Sequence, residues 1–151
     1  MSTVHLRAEA TIVTSFQDAD PMGVIYHGNY FRFFEEARRL LMEKIDYGYR
    51  DMEASGFLWP VIDANVRYIK AIEYNQTIRI IATLAEWENR LKVDYLITDP
   101  QSGKRLCKGH TVQVPVRLDN KELQFEAPKV LEDKLLAYSA LSAELGALFH
   151  D

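Results

Sequence analysis

A chain of 151 residues, 48% of them hydrophobic, can bury about two-thirds of the surface its unfolded form exposes, so it needs neither disulfides nor a metal to fold. The formal net charge is −4 and Lys and Arg are scattered rather than blocked, which gives nucleic-acid binding little electrostatic support. The single Cys107 permits no internal bridge, and no CxxC pair or clustered ligand set suggests zinc or redox chemistry, so no metal and no cofactor is expected.

The opening residues lack the basic start and apolar run of a secretory signal, and no stretch approaches ~18 consecutive apolar residues. A cytoplasmic chain without an integral membrane segment is expected. An early strand leads into FQDADPMGVIYHGNYFRFFEEAR, residues 16–38, where the chemistry concentrates. Asp20-Pro21-Met22-Gly23 has the residues of a tight turn: Asp first, Pro with its fixed φ second, Gly fourth. Val24-Ile25-Tyr26 is a short apolar run, and His27-Gly28-Asn29 stands just ahead of a helical stripe. A carboxylate and an imidazole are thus brought to the mouth of a helix N-terminus, where unpaired N–H groups stabilise negative charge, including an oxyanion forming on a carbonyl. Taken singly, Asp18 or Asp20 fits a turn, His27 a satisfied histidine and Asn29 an ordinary helix cap. Neither cap nor turn explains the combination.

Tyr30, Phe33, Phe34, Ala37, Leu40, Leu41 and Ile45 recur at helical spacing, with Glu36, Arg39 and Glu43 on the other side, which predicts one long helix with a buried stripe. The i,i+4 steps Glu35–Arg39 and Arg39–Glu43 read as a solvated ion-pair row. Past Tyr47-Gly48 and Ser55-Gly56, strands are expected over Phe57–Ile69, Thr77–Glu86, Arg90–Thr98 and Lys104–Leu118. Asp99 to Gly103 reads as a hairpin connection, and Pro115 demotes the end of the last strand to an edge or a bulge. From about Val130, the positions Leu131, Leu135, Tyr138, Leu145 and Leu148 suggest a final amphipathic helix. No linker, repeat or low-complexity tract divides the chain, so residues 1–151 read as one α+β domain of antiparallel strands with helices covering a face.

The pattern aromatic-x-Asp-x-Asp-x-x-Gly-Val-x-Tyr-His-x-x-Tyr, carried by Phe16, Asp18, Asp20, Gly23, Val24, Tyr26, His27 and Tyr30 and followed by Phe-Phe-Glu-x-Ala-Arg ending at Arg38, resembles the hotdog-fold acyl-CoA thioesterases. It is most similar to the 4-hydroxybenzoyl-CoA thioesterase group and its relatives from the Tol-Pal gene cluster. Phe16 departs from the tyrosine common in the latter, so any help from that hydroxyl is missing here. The resemblance implies a curved antiparallel sheet wrapped around one long central helix, with a C-terminal helix. It also implies a homodimer or homotetramer with acyl-CoA sites formed at the interface from both chains, an acyl carrier protein remaining open as donor.

A thioester is already reactive, so hydrolysis needs a carboxylate, donors for the tetrahedral oxyanion and a channel for the acyl group. The resemblance assigns the first role to Asp20, as general base or nucleophile, and makes the backbone N–H of His27 the main oxyanion donor. The His27 imidazole is then free to orient water or Asp20, or to protonate the departing thiolate. Tyr26, Phe16 and Tyr30 would line the substrate pocket, with Asp18 holding the turn. Arg67, Lys70, Arg90, Lys92, Lys104, Arg105 and Lys108 are candidates to meet the CoA phosphates. The alternatives are a hotdog hydratase or dehydratase, in which an Asp/His pair moves protons without cutting the thioester, and a non-catalytic acyl-CoA-binding hotdog. The Asp20-to-His27 spacing favours hydrolysis over the first, and a sensor needs neither residue.

Overall fold

The computed structural model describes residues 5–150, with side-chain environments through residue 144, so the expected apolar positions Leu145 and Leu148 lie outside the described side chains. In chain order the elements are β1 (Arg7–Val13), a 3-10 turn (Phe16–Asp18), α1 (Asn29–Lys44), α2 (Tyr49–Ala54), β2 (Phe57–Leu58), β3 (Val61–Tyr68), β4 (Thr77–Glu86), β5 (Leu91–Thr98), β6 (Arg105–Gln113), β7 (Val116–Arg117) and α3 (Lys129–His150). Five strands form one antiparallel sheet in the order β1-β4-β5-β6-β3, and β2 pairs with β7 apart from it.

Two expected strands are broken, and proline is the reason in both. The stretch Phe57–Ile69 divides at Trp59-Pro60 into β2 and β3, and Lys104–Leu118 divides at Val114-Pro115 into β6 and β7. A proline has no N–H to give a ladder, so the chain leaves one sheet and enters another there. The helix α2 was not expected. With one buried residue, Met52, in six, it is too short to show a period.

The sheet wraps α1 because both surfaces carry an apolar row. On α1, Tyr30, Phe33, Phe34, Ala37 and Leu41 are buried. On the sheet, Ile78, Ile80 and Ala82 of β4 and Val93, Tyr95 and Ile97 of β5 alternate inward. Phe34 stacks flat on Tyr95, with ring centroids 4.3 Å apart and planes 5° from parallel. Arg38 is the charged exception on the buried face. Its guanidinium donates to the Tyr49 hydroxyl at 3.3 Å and Thr111 Oγ1 at 3.5 Å, and approaches the Glu35 carboxylate at 3.9 Å. Leu131 and Leu135 at the start of α3 join the same core. Among the described residues no helix is long and apolar enough to cross a membrane.

β3 lies at an edge of the sheet, and most of its residues are exposed. Its far end, Tyr68, meets the beginning of α1: the Tyr68 ring stands edge-on to Tyr30 at 4.8 Å. That meeting point borders the candidate site.

Candidate functional site

Residues 18–26 fold into a small hairpin. Ala19 bridges Ile25, the Asp20 N–H donates to the Val24 carbonyl at 2.8 Å, and the Tyr26 N–H donates to the Asp18 carbonyl at 2.9 Å. The turn expected from the sequence closes the hairpin. The Gly23 N–H donates to the Asp20 carbonyl at 3.0 Å, and Gly23 has φ +82°, a conformation that favours glycine. Oδ1 of Asp20 accepts the Met22 N–H at 2.8 Å, holding the carboxylate over its own turn and leaving Oδ2 without a partner among the described residues.

Asp18 secures the base of the hairpin. Its carboxylate accepts from the Ser15 N–H and hydroxyl, both at 3.1 Å, and pairs with Arg32 of α1. Burial pushes the Asp18 carboxyl up, but the Ser15 hydrogen bonds and the Arg32 charge outweigh it and hold the group below the ordinary aspartate value. This is a carboxylate spent on structure.

At the start of α1, Gly28 is the N-cap and no side chain caps the helix. A methyl there would meet the Tyr26 ring at 2.8 Å, so Gly28 lets that ring fold over the chain. Asn29 is therefore not the helix cap that its position suggests. It opens the helix, and its side-chain amide reaches back to donate to the Asp18 carbonyl at 2.9 Å. Neither the His27 nor the Gly28 N–H has an acceptor among the described residues. Two backbone donors at a helix N-terminus stand free, the arrangement that stabilises an anion.

Beside them runs a groove of about 260 Å³, walled by Val24, Ile25, His27 and Tyr30 on one side and by Tyr68, Ile69, Lys70 and Ala71 on the other. The Tyr68 hydroxyl donates to the His27 carbonyl at 3.3 Å. Burial raises both the Tyr30 and Tyr68 hydroxyls above the usual tyrosine value, so they are neutral donors near pH 7. The groove thus brings together two of the five expected site residues, His27 and Tyr30. Asp20 stands at the hairpin tip rather than in the groove wall. Phe16 is 76% exposed and packs edge-on against Tyr74 at 5.4 Å, away from Tyr30, while Tyr26 is half exposed with its ring against the His27 imidazole.

Tyr68 and Ile69 were missed because nothing local links them to a motif some forty residues upstream. The usable signal is the alternation Ala64, Val66, Tyr68, whose register partners Thr111, Gly109 and Cys107 give one face of β3. Of the basic candidates for CoA phosphates, Lys70 borders the groove. Arg105 and Lys108 border a separate depression of about 430 Å³ on the outer sheet face, and Arg90 is paired with Glu86 at 3.0 Å. Cys107 is buried and burial pushes its thiol up to about 12, which leaves it a packing residue without a nucleophilic thiolate. Among the described residues no three His, Cys, Asp or Glu side chains are grouped to hold a metal ion.

A sequence profile of the thioesterase-like superfamily matches residues 14–136, from the end of β1 into α3. The "Putative acyl-CoA thioesterase YneP" of Bacillus subtilis (strain 168) is 36% identical over 84 residues, 56% of this chain; the match spans 60% of that relative's length. A DHNA-CoA thioesterase from Staphylococcus aureus superposes with a TM-score of 0.78 at 30% identity, covering 93% of this chain and 94% of that one. The fold is shared as well by a 1,4-dihydroxy-2-naphthoyl-CoA thioesterase from Synechocystis, with a TM-score of 0.77 at 17% identity over 86% of this chain and 96% of that one. With its sheet wrapped around α1 and a profile match running from the end of β1 into the last helix, this chain belongs to the thioesterase-like superfamily and has its hotdog fold.

Proposed function

We propose that this chain, as one domain, hydrolyses acyl-CoA thioesters to the free acid and CoA, with Asp20 as the carboxylate and the His27 N–H as the main oxyanion donor. The observation that carries the reading is the free N–H of His27 at the start of α1, on a residue that walls a groove of about 260 Å³. As general base, Asp20 takes a proton from a water that attacks the thioester carbonyl. The carbonyl oxygen gains negative charge against the His27 N–H, and collapse of the tetrahedral intermediate breaks the C–S bond. The His27 imidazole is suited to protonate the departing CoA thiolate. As nucleophile, Asp20 attacks the carbonyl itself, the C–S bond breaks to expel the CoA thiolate, which takes up a proton, and water then hydrolyses the acyl–Asp20 anhydride to the free acid and the Asp20 carboxylate.

A second copy completes the site in this reading. Asp20 lies on an exposed hairpin flanked by Phe16 and Met22, both largely exposed, and β3 beside the groove is an open edge with exposed Val61, Ile62 and Tyr68. An open apolar edge of this kind invites pairing with another chain. Pairing along β3 would bring a partner to the groove mouth and make a homodimer or a pair of dimers. Purified protein should therefore run as a dimer or larger, with a melting temperature that rises with protein concentration. Undiminished turnover by a monomer on dilution would refute the shared site.

The substrate is acyl-CoA drawn from the cytoplasm, and the tyrosine-lined groove suits an aromatic acyl group. Lys70 at the groove rim is the first candidate for the phosphates. A panel of aliphatic and aromatic acyl-CoAs, followed by free-thiol release, tests the activity. A double-bond absorbance change without thiol release would replace it with hydration, and tight binding with neither would replace it with sensing. In the same assay His27→Ala should keep measurable turnover, because the backbone N–H survives the substitution. A loss as large as that of Asp20→Asn would mean that the imidazole itself is indispensable.

A further inference from the structure

We infer that Asn29 is a positioning residue that fixes the oxyanion donor relative to the Asp20 turn; the inference rests on the hydrolytic reading above. Two bonds carry it. The Asn29 backbone N–H donates to the Tyr26 carbonyl at 3.0 Å, and the Asn29 side-chain amide donates to the Asp18 carbonyl at 2.9 Å. The first is a backbone bond that any residue but proline would make here, and the second is particular to the Asn29 side chain.

The Tyr26 carbonyl and the His27 N–H belong to one planar peptide unit, with the N–H directed opposite to the carbonyl. Holding the carbonyl from the first residue of α1 therefore fixes the direction of the free His27 N–H. The Asp18 carbonyl, in turn, accepts both the Asn29 amide and the Tyr26 N–H, the latter at 2.9 Å. Asp18 is two residues from Asp20 on the same hairpin strand. One side chain thus ties the strand that bears the carboxylate to the helix that presents the oxyanion donor, across eleven residues of sequence. Arg32 holds the same segment through the Asp18 carboxylate, but that is a half-exposed ion pair, which is worth little. The Asn29 amide, half buried, makes the tie to the backbone.

A helix gains from an acidic residue in its first turn, so a role confined to starting α1 would tolerate or welcome Asp at this position. A donor role would not, because a carboxylate would face the Asp18 carbonyl oxygen. The two roles make opposite demands.

The experiment measures kcat, KM and melting temperature for Asn29→Ala and Asn29→Asp, with an S-alkyl-CoA thioether as a non-hydrolysable binding probe and Asp20→Asn in parallel. A donor misplaced by an ångström can cost ~100-fold, so kcat of Asn29→Ala should fall by ~10- to 100-fold while KM and thioether affinity change by less than about threefold. Asn29→Asp, which keeps the shape of the side chain, should lose kcat to at least the same degree without a lowered melt. Wild-type kcat in Asn29→Ala overturns the inference. If that variant fails to fold, wild-type kcat in a folded Asn29→Asp overturns it equally. Full turnover by Asp20→Asn would instead defeat the underlying mechanism, whereas loss there beside an active Asn29→Ala defeats the positioning role alone.

Discussion

Asp20→Asn should lower turnover by at least ~100-fold, the lower end of what a positioned general base contributes, with acyl-CoA binding and the melting temperature changed little. Asparagine is nearly isosteric, its side-chain oxygen can still accept the Met22 N–H that Oδ1 accepts now, and the turn into Pro21 and Gly23 is unaltered. What disappears is the free negative oxygen, the atom able to attack a carbonyl or take a proton from water. Asp18→Asn is the internal control. Its carboxylate is already committed to Ser15 and Arg32, so the change should cost turnover far less and act on the hairpin's stability instead. Near-normal thiol release from a well-folded Asp20→Asn protein would end the proposed mechanism. A collapsed melt in the same variant would make Asp20 a structural turn residue.

The legible parts of this chain were those fixed by local chemistry. The turn at Asp20-Pro21-Met22-Gly23 closes as its residues demand, the stripe from Tyr30 to Leu41 is buried on α1 with Leu40 partly so, and β4 runs over the expected bounds. The illegible parts depend on partners distant in sequence. No local pattern reveals that Tyr68 reaches the His27 carbonyl, or that Lys70 borders the same groove. Asn29 is the instructive case: its position before an apolar stripe suggests a cap, and only the folded hairpin brings the Asp18 carbonyl within its reach. The breaks at Trp59-Pro60 and Val114-Pro115 were half legible. A proline announces that a ladder stops, but where the chain goes next is decided by the small β2–β7 pairing. Asp20 and Phe16 stand outside the groove of the single chain, a placement that the local motif did not foretell.

Gly109→Ala should be among the most destabilising single changes in the molecule. A Cβ at this position would lie 2.4 Å from the Asn65 carbonyl oxygen and 2.6 Å from the Phe34 ring, and neither neighbour can yield cheaply. The carbonyl belongs to β3, whose Val66 is the register partner of Gly109 on β6. The ring is clamped between this strand and Tyr95, on which it stacks. Overpacking a core commonly costs about 1–3 kcal/mol, and two rigid obstacles argue for the upper end. For a chain of this length, ~3 kcal/mol corresponds to a melting temperature lower by roughly 6–12 °C. The damage should also reach the site. Displacing β3 moves Tyr68 away from the His27 carbonyl and disturbs the edge along which a second copy is proposed to pair, so turnover should fall with stability. Replacing Phe34 by Leu in the same chain relieves the ring contact but leaves the clash with the β3 backbone, so rescue should be partial. Thermal melts of the two single variants and the double variant measure this. A wild-type melt for Gly109→Ala would show that β3 slides freely on β6, and that the close approach between strand, glycine and ring does not hold the site in place.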